Sequence, residues 1–265
     1  MVVSADGDGG GGLLVAHTTW VGHATMLVEL AGVRVLTDPV LTQRVGHLRR
    51  RSAPPPQAVR KADVVVISHA HHDHLHKRSL RMVLEASPDT LVVVPRGAAV
   101  HLPRSQSARI EEVVVGDVVE HGGLQVEVVP AVHSGRRGKF GAEQSAAVGY
   151  VLSGDDRRLW FAGDTDLFPE MEAIGPVDLA AVPISGWWRR LGPGHLDEER
   201  AVEAAVLVQA QRVLPIHWGT FSPEDMLGGL PRWLPETARR FERALDDRGL
   251  LDRLVRLEPG QTLRW

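Results

Sequence analysis

The chain has 265 residues, is 43% hydrophobic, and sets 30 Lys and Arg against 33 Asp and Glu for a formal net charge of −3. That length can bury a sizeable core without cross-links. With no cysteine, disulfides, thiolate metal ligands and a thiol nucleophile are all excluded. The mild charge argues against general nucleic-acid affinity, and no apolar run approaches the roughly 18–20 residues of a membrane span. Neither nucleic acid nor a stable membrane association is therefore expected, and the cytoplasm is the default location.

In chain order, residues 1–12 are small, polar and glycine-rich and read as a flexible leader rather than a signal peptide. Residues 13–265 read as one domain. Short β-branched runs at 13–20, 24–30 and 33–37 predict strands of a meander. Residues 43–57, with Arg49-Arg50-Arg51 and Pro54-Pro55-Pro56, predict an extended connector and a solvated basic surface. A five-residue apolar strand at 63–67 runs into a histidine cluster, and a helix over 76–86 with Leu80, Val83 and Leu84 on its buried face follows. Further strands are expected at 91–94, 112–115, 124–129, 147–152, 159–162, 179–183 and 213–216, with a last one at 254–257. Helices are expected over 198–209, with Asp197 as N-cap, and from 235 to just before Gly249. Many strands, then mixed strands and helices, predict an α/β protein of two packed sheets with helices outside.

The chemistry concentrates in His69-Ala70-His71-His72-Asp73-His74. On an extended segment alternate side chains share a face, so His69, His71 and Asp73 can converge. His74, where the chain turns into the helix, can aim at the far side of the same pocket. Three imidazoles and a carboxylate would make a poor core, because each buried polar group needs a partner. A run placed directly after an apolar strand therefore reads as metal-binding rather than as a solvated loop. His133, Asp164 and His217 each follow an expected strand end, where loops build sites on a rigid scaffold. Taken singly His133 and His217 read as structural histidines, but as an ordered set they read as ligands. His72 and His76 are expected to point away into solvent.

The run resembles the signature of the metallo-β-lactamase-fold superfamily. Thr19-Trp20-Val21-Gly22-His23-Ala24-Thr25, Leu36-Thr37-Asp38-Pro39, Phe161-Ala162-Gly163-Asp164-Thr165, Asp178-Leu179-Ala180-Ala181-Val182-Pro183-Ile184 and Ile216-His217-Trp218-Gly219-Thr220-Phe221 narrow the likeness. They resemble the branch holding N-acyl-phosphatidylethanolamine phospholipase D and the ascorbate-6-phosphate lactonases, over about residues 18–224. The resemblance implies a four-layer αβ/βα sandwich, two mixed sheets flanked by helices. It implies that His69, His71 and His133 hold one metal, that Asp73, His74 and His217 hold the other, and that Asp164 bridges them. It also brings forward His23 as a hydrogen-bonding neighbour of the metals and His195 as a group touching substrate or leaving group.

Nitrogen and carboxylate donors suit Zn²⁺, with Mn²⁺ or Fe²⁺ admitted by the same ligand chemistry. Two such ions would share a hydroxide formed near neutral pH, oriented by Asp73, as nucleophile. Arg136, Arg137 and Lys139 after His133, and Trp187, Trp188, Arg189 and Arg190 after the strand at 179–183, favour an anionic small-molecule substrate against an apolar wall. The leading expectation is a zinc-dependent hydrolase of a small anionic ester, a phosphodiester or a phosphorylated lactone. A lipid-cleaving role calls for an exposed amphipathic surface, for which Trp187-Trp188 and Trp233-Leu234 are the only candidates. The alternatives are a β-lactam or neutral-lactone hydrolase, and a metal-binding or sensing protein without turnover. A homo-oligomer is compatible with this composition.

Overall fold

The computed structural model describes residues 2–3, 15–102, 109–135, 137, 145–185, 191–223 and 234–265. The first half of the chain gives β1 (Val2–Val3), β2 (His17–Gly22), β3 (Thr25–Leu30), β4 (Val33–Thr37), β5 (Arg44–Val45), β6 (Leu48–Arg50), β7 (Val64–Val66), α1 (Lys77–Ala86), β8 (Leu91–Pro95), β9 (Ile110–Val113), β10 (Val118–His121) and β11 (Leu124–Pro130). The second half gives β12 (Val148–Gly154), β13 (Arg157–Phe161), β14 (Leu179–Pro183), α2 (Glu198–Leu207), β15 (Arg212–Ile216), β16 (Phe221–Pro223), α3 (Leu234–Asp246) and β17 (Thr262–Arg264).

An eight-stranded sheet runs β1-β17-β2-β3-β4-β7-β8-β9, a six-stranded sheet runs β10-β11-β12-β13-β14-β15, and a small sheet runs β16-β6-β5. Both large sheets are mixed: β2, β3 and β4 are antiparallel and β4, β7, β8 and β9 parallel, while β10 to β13 are antiparallel and β13, β14 and β15 parallel.

The period of two in the strands assigns their side chains to layers. In β7, Val64 and Val66 face the core between the two large sheets, which also holds Phe161, Tyr150 and Ile216, whereas Val65 faces the layer of Leu80, Val83 and Leu84 from α1. On the far side, Trp160, Ala180 and Val213 pack under Ala201, Ala205, Phe241 and Leu245 of α2 and α3. The order is helix, sheet, sheet, helix, as expected. A fully buried Val or Leu contributes roughly 1.5–3 kcal/mol, so strands apolar on both faces anchor the rims that carry the site.

Most expected elements are present within a few residues, and Asp197 caps α2 by accepting from Arg200 N at 2.9 Å. Three expectations need correction. Residues 254–257 make only an isolated bridge, Val213 to Leu254, and the final strand is β17; Val255 and Leu257 are drawn in by burial, not by a ladder. The connector at 43–57 contains β5 and β6. Arg50 within it is 3% exposed, not solvated: its guanidinium donates to the carbonyls of Val21 and Val40 and lies 4.7 Å over the Phe221 ring, and burial lowers its pKa to about 10. His76 is not free in solvent either, since its Nδ1 accepts from Ser79 N and caps α1. Val2 and Val3, from the expected leader, pair in parallel with β17; residues 4–12 lie outside the described residues. No helix among the described residues is long and apolar enough to cross a membrane.

Candidate metal centre

The strand directions explain why distant residues meet. β2, β4 and β7 point one way in the first sheet, as do β11, β13, β14 and β15 in the second. Just past their carboxyl ends stand His23, Asp38, the run from His69 to His74, His133, Asp164, Ser185 and His217. Three of these turns use left-handed backbone at non-glycine residues, with φ of 57° at His23, 33° at Asp38 and 62° at His217. Such conformations cost of order 1–3 kcal/mol and gather at functional sites. The turns of His23 and His217 are joined by His217 N–H donating to His23 O at 3.0 Å. Gly163 (φ +61°) lets β13 pass the first sheet, since a Cβ there would lie 2.6 Å from Ser68 Cβ.

Two groups of donors result. In the first, His69 Nε2 and His71 Nδ1 are 2.8 Å apart, and His133 Nε2 is 3.2 Å from the same His71 nitrogen. In the second, His74 Nε2 and His217 Nε2 are 3.2 Å apart, and Asp73 Oδ2 lies 3.5 and 3.6 Å from them. Asp164 spans both: Oδ2 is 3.3 Å from His74 Nε2 and 4.0 Å from both His69 Nε2 and His133 Nε2, and Oδ1 is 3.3 Å from His217 Nε2. All seven sequence-predicted ligands are therefore brought together.

The outward nitrogens of these rings are already engaged. His69 Nδ1 donates to Ser68 Oγ at 2.9 Å, His74 Nδ1 to Asp38 Oδ2 at 2.6 Å, His133 Nδ1 to Gly194 O at 2.7 Å and His217 Nδ1 to Ser185 O at 2.9 Å. A carbonyl, carboxylate or hydroxyl acceptor fixes a proton on Nδ1 and turns Nε2 inward as the nitrogen able to ligate, the arrangement of a metal-binding imidazole. Burial drives His133 down to about 4, and burial with the neighbouring His74 holds His69 well below its ordinary value. Burial opposes ionisation of Asp73 and Asp164, but the surrounding histidines together outweigh it, His74 foremost for Asp73 and His217 foremost for Asp164, and both carboxyls sit well below the usual carboxylate range. Burial likewise opposes charge on His74, which is raised because Asp164, Asp73 and Asp38 converge on it. Against its burial His217 is raised as well, by Asp164 and Asp73. His69 and His133 are thus held neutral beside ionised carboxylates, as a divalent cation requires, whereas an ion at the second group would have to displace the protons held on His74 and His217.

Residues 33–218 match the family model described as the beta-lactamase superfamily domain. The chain belongs to the beta-lactamase superfamily. An N-acyl-phosphatidylethanolamine-hydrolyzing phospholipase D of Caenorhabditis elegans is 33% identical over 226 residues, 77% of this chain but 64% of that protein, so the chain spans less than two thirds of that relative. A UPF0173 metal-dependent hydrolase of Methanopyrus kandleri is 31% identical over 249 residues, 92% of this chain and 97% of the relative. The solved structure of a metallo hydrolase from Ignicoccus hospitalis superposes with a TM-score of 0.70 at 24% identity, covering 95% of this chain and 98% of that one. The chain is thus a superfamily member of the metal-dependent hydrolase type.

The donor set suits the metal such a hydrolase needs. A tetrahedral ion with Zn–N bonds of 2.0–2.1 Å holds its ligand atoms about 3.3 Å apart, close to the spacings within each group. Asp164 Oδ1 is buried yet makes no hydrogen bond, as expected of an atom shaped for an ion. His23, 2% exposed, sets its Nε2 3.1 Å from Asp73 Oδ2, and burial together with His217 lowers it to about 3. It therefore stands within the second group. His195 faces the first group: its ring centroid lies 4.7 Å from that of His133 and its Nε2 3.8 Å from Asp164 Oδ2, with 24% of the side chain exposed.

Arg137, expected at the substrate, has another employment. Its Nη1 donates to the carbonyls of Ala70 and Leu75 at 3.2 and 3.0 Å, and its Nη2 donates to His72 Nδ1 at 2.8 Å. Arg136, Trp187, Trp188 and Arg189 lie outside the described residues. Sequence reasoning gave no role to Asp38 or Ser68. Asp38 is fully buried and accepts from Ser68 N at 2.7 Å, from Ser68 Oγ at 2.5 Å and from His74. The available signal was an aspartate followed by proline at the end of an apolar strand, a place where an unpartnered carboxylate would be costly.

Proposed function

We propose that the chain is a dinuclear zinc hydrolase of a small anionic ester, a phosphodiester or a phosphorylated lactone. The observation that carries this reading is Asp164, which stands between the donor groups: both its oxygens lie 3.3 Å from a nitrogen of the second group, and its Oδ2 is also 4.0 Å from His69 Nε2 and His133 Nε2 of the first. His69, His71 and His133 would hold one ion, Asp73, His74 and His217 the other, and Asp164 would bridge. Bound there, the ions supply a water acidified to a pKa near 7 and a Lewis acid for the attacked carbonyl or phosphoryl oxygen. Donors of nitrogen and oxygen without sulfur favour zinc over softer metals, and admit Mn²⁺ or Fe²⁺.

The chain's own groups do the rest. His23 orients Asp73 through the 3.1 Å contact of its Nε2 with Oδ2, the oxygen that also faces His74 and His217. His195, on the exposed side, is placed to hand a proton to a departing group. An anionic substrate is supported by the basic residues after His133 and after β14, Arg136 and Arg189 among them, and a phosphodiester by the name of the nematode relative.

The test is hydrolysis of bis(p-nitrophenyl) phosphate by zinc- and manganese-loaded protein, beside a panel of phosphorylated and neutral lactones and nitrocefin. Turnover of the phosphodiester or of a phosphorylated lactone, lost on chelation and restored by metal, is expected. Turnover confined to nitrocefin or neutral lactones would overturn the substrate class. No turnover by a metal-replete sample would replace catalysis with a binding role.

A further inference from the structure

Two residues past the bridging carboxylate, Asp166 makes a set of contacts that the hydrolytic reading leaves unused. Its backbone N–H donates to Val132 O at 2.9 Å, which ties the segment of Asp164 to that of His133. Its Oδ1 accepts from Leu167 N at 2.7 Å and pairs with the Arg200 guanidinium, and its Oδ2 accepts from Gly194 N at 3.1 Å. Arg200 sits in the first turn of α2, where Asp197 caps its backbone N–H, and its Nη1 donates to His195 O at 3.3 Å. The Gly194–His195 peptide is therefore held from both ends, by an acid on the Asp164 loop and a base on a packed helix.

That peptide serves the centre in two ways. Its Gly194 carbonyl is the acceptor that fixes His133 Nδ1, and the next residue presents His195 to Asp164. The fit is close: Gly194 has φ of +83°, and a Cβ there would stand 3.0 Å from His133 Nδ1. The side chains of Asp166 and Arg200 are 18% and 40% exposed. Exposed pairs of this kind add little to global stability, which turns attention to what the pair positions.

We propose that Asp166 and Arg200 form a latch that sets the Gly194–His195 loop, and through it the ring of His133 and the place of His195 at the metal centre. Both are positioning residues. Without the latch the Gly194 carbonyl is free to turn from His133, and the imidazole loses the acceptor that orients its lone pair. Partners of this kind typically govern metal affinity by 10–100-fold. The inference rests on the reading of His69, His71 and His133 as one ion's ligands.

The test strips the protein with chelator and titrates it with zinc against a chromophoric competitor, for the wild type, Asp166→Ala, Arg200→Gln and Arg200→Lys. Affinity for one zinc should fall about 10–100-fold in the first two variants, with the other zinc held within about twofold and the circular dichroism spectrum unchanged. Arg200→Lys, which keeps the charge but not the fork, should recover part of the loss. In the zinc-loaded protein the ¹⁵N ring resonances of His133 should move while those of His74 and His217 stay. The Asp166→Ala/Arg200→Gln double variant should bind no worse than the weaker single one, because the two act as a unit. If Asp166→Ala does not fold, the Arg200 variants carry the same test. Unchanged zinc affinities in folded Arg200→Gln, equal losses at both ions, or additive losses in the double variant would overturn the latch alone. A wild-type chain that takes up no zinc would overturn both it and the metal reading.

Discussion

His74 donates its outward proton to a fully buried carboxylate, Asp38, whereas His133 donates its own to the carbonyl of Gly194 in a loop beside the exposed His195. The same contrast runs through the two donor groups. The group of Asp73, His74 and His217 is enclosed by His23, Asp38 and Ser185, and every member is at least nine-tenths buried. The group of His69, His71 and His133 is only partly enclosed at two of its three members. A carboxylate behind an imidazole makes it a more basic ligand than a carbonyl does. Under the proposed function, the enclosed side would retain an ion and the other side would meet a substrate.

The largest effect should come from removing what the two sides share. Asp164→Ala deletes the carboxylate that reaches both groups, and is expected to lower metal content at both and to abolish hydrolysis while circular dichroism stays native. Elemental analysis with an activity assay checks this, and retained activity with both ions bound would remove the bridging role of Asp164.

A smaller effect should separate the two sides. Asp38 touches His74 directly and reaches His69 through Ser68 Oγ. Asp38→Ala should therefore weaken zinc at both groups, by about 10–100-fold or roughly 1.4–2.7 kcal/mol, with the enclosed side losing more. Ser68→Ala should weaken the first group more than the second, by about tenfold at most, because Ser68 Oγ is 2.9 Å from His69 Nδ1 but 3.4 Å from His74 Nδ1. Stepwise zinc titration of the two variants decides it. Equal losses from Ser68→Ala at both ions would show that the groups are braced as one body.

The cluster of candidate ligands was legible in the residues because their chemistry is costly anywhere else. Four polar groups between an apolar strand and a helix have few structural uses, and strand ends in order placed His133, Asp164 and His217 on one rim. The layers were legible because Val64, Val65 and Val66 demand apolar neighbours on both faces. What brackets the centre was not, because it depends on long-range contacts without a local pattern. Asp38 meets Ser68 and His74 from 30 and 36 residues away. Arg50 looked like one of three surface arginines until β6 paired with β16 and turned it inward. The strand at 254–257 was misplaced because burial and alternation draw the same apolar residues whether or not a ladder forms beside them.

Arg137 gives the smallest effect and the sharpest division between bracing and substrate binding. A guanidinium aimed at an anionic substrate should raise KM for charged substrates when removed and leave neutral ones alone. A guanidinium that grips Ala70 O and Leu75 O holds the two ends of the ligand loop, and its loss leaves two half-enclosed carbonyls without that donor. Each such bond contributes about 0.5–1.5 kcal/mol, so Arg137→Ala should lower the melting temperature by several degrees, at roughly 2–4 °C per kcal/mol for a domain near this size. With the loop loosened, kcat should fall a few-fold for charged and neutral substrates alike, and the KM ratio between them should stay constant. A KM rise confined to anionic substrates, with an unchanged melting temperature, would return Arg137 to the substrate.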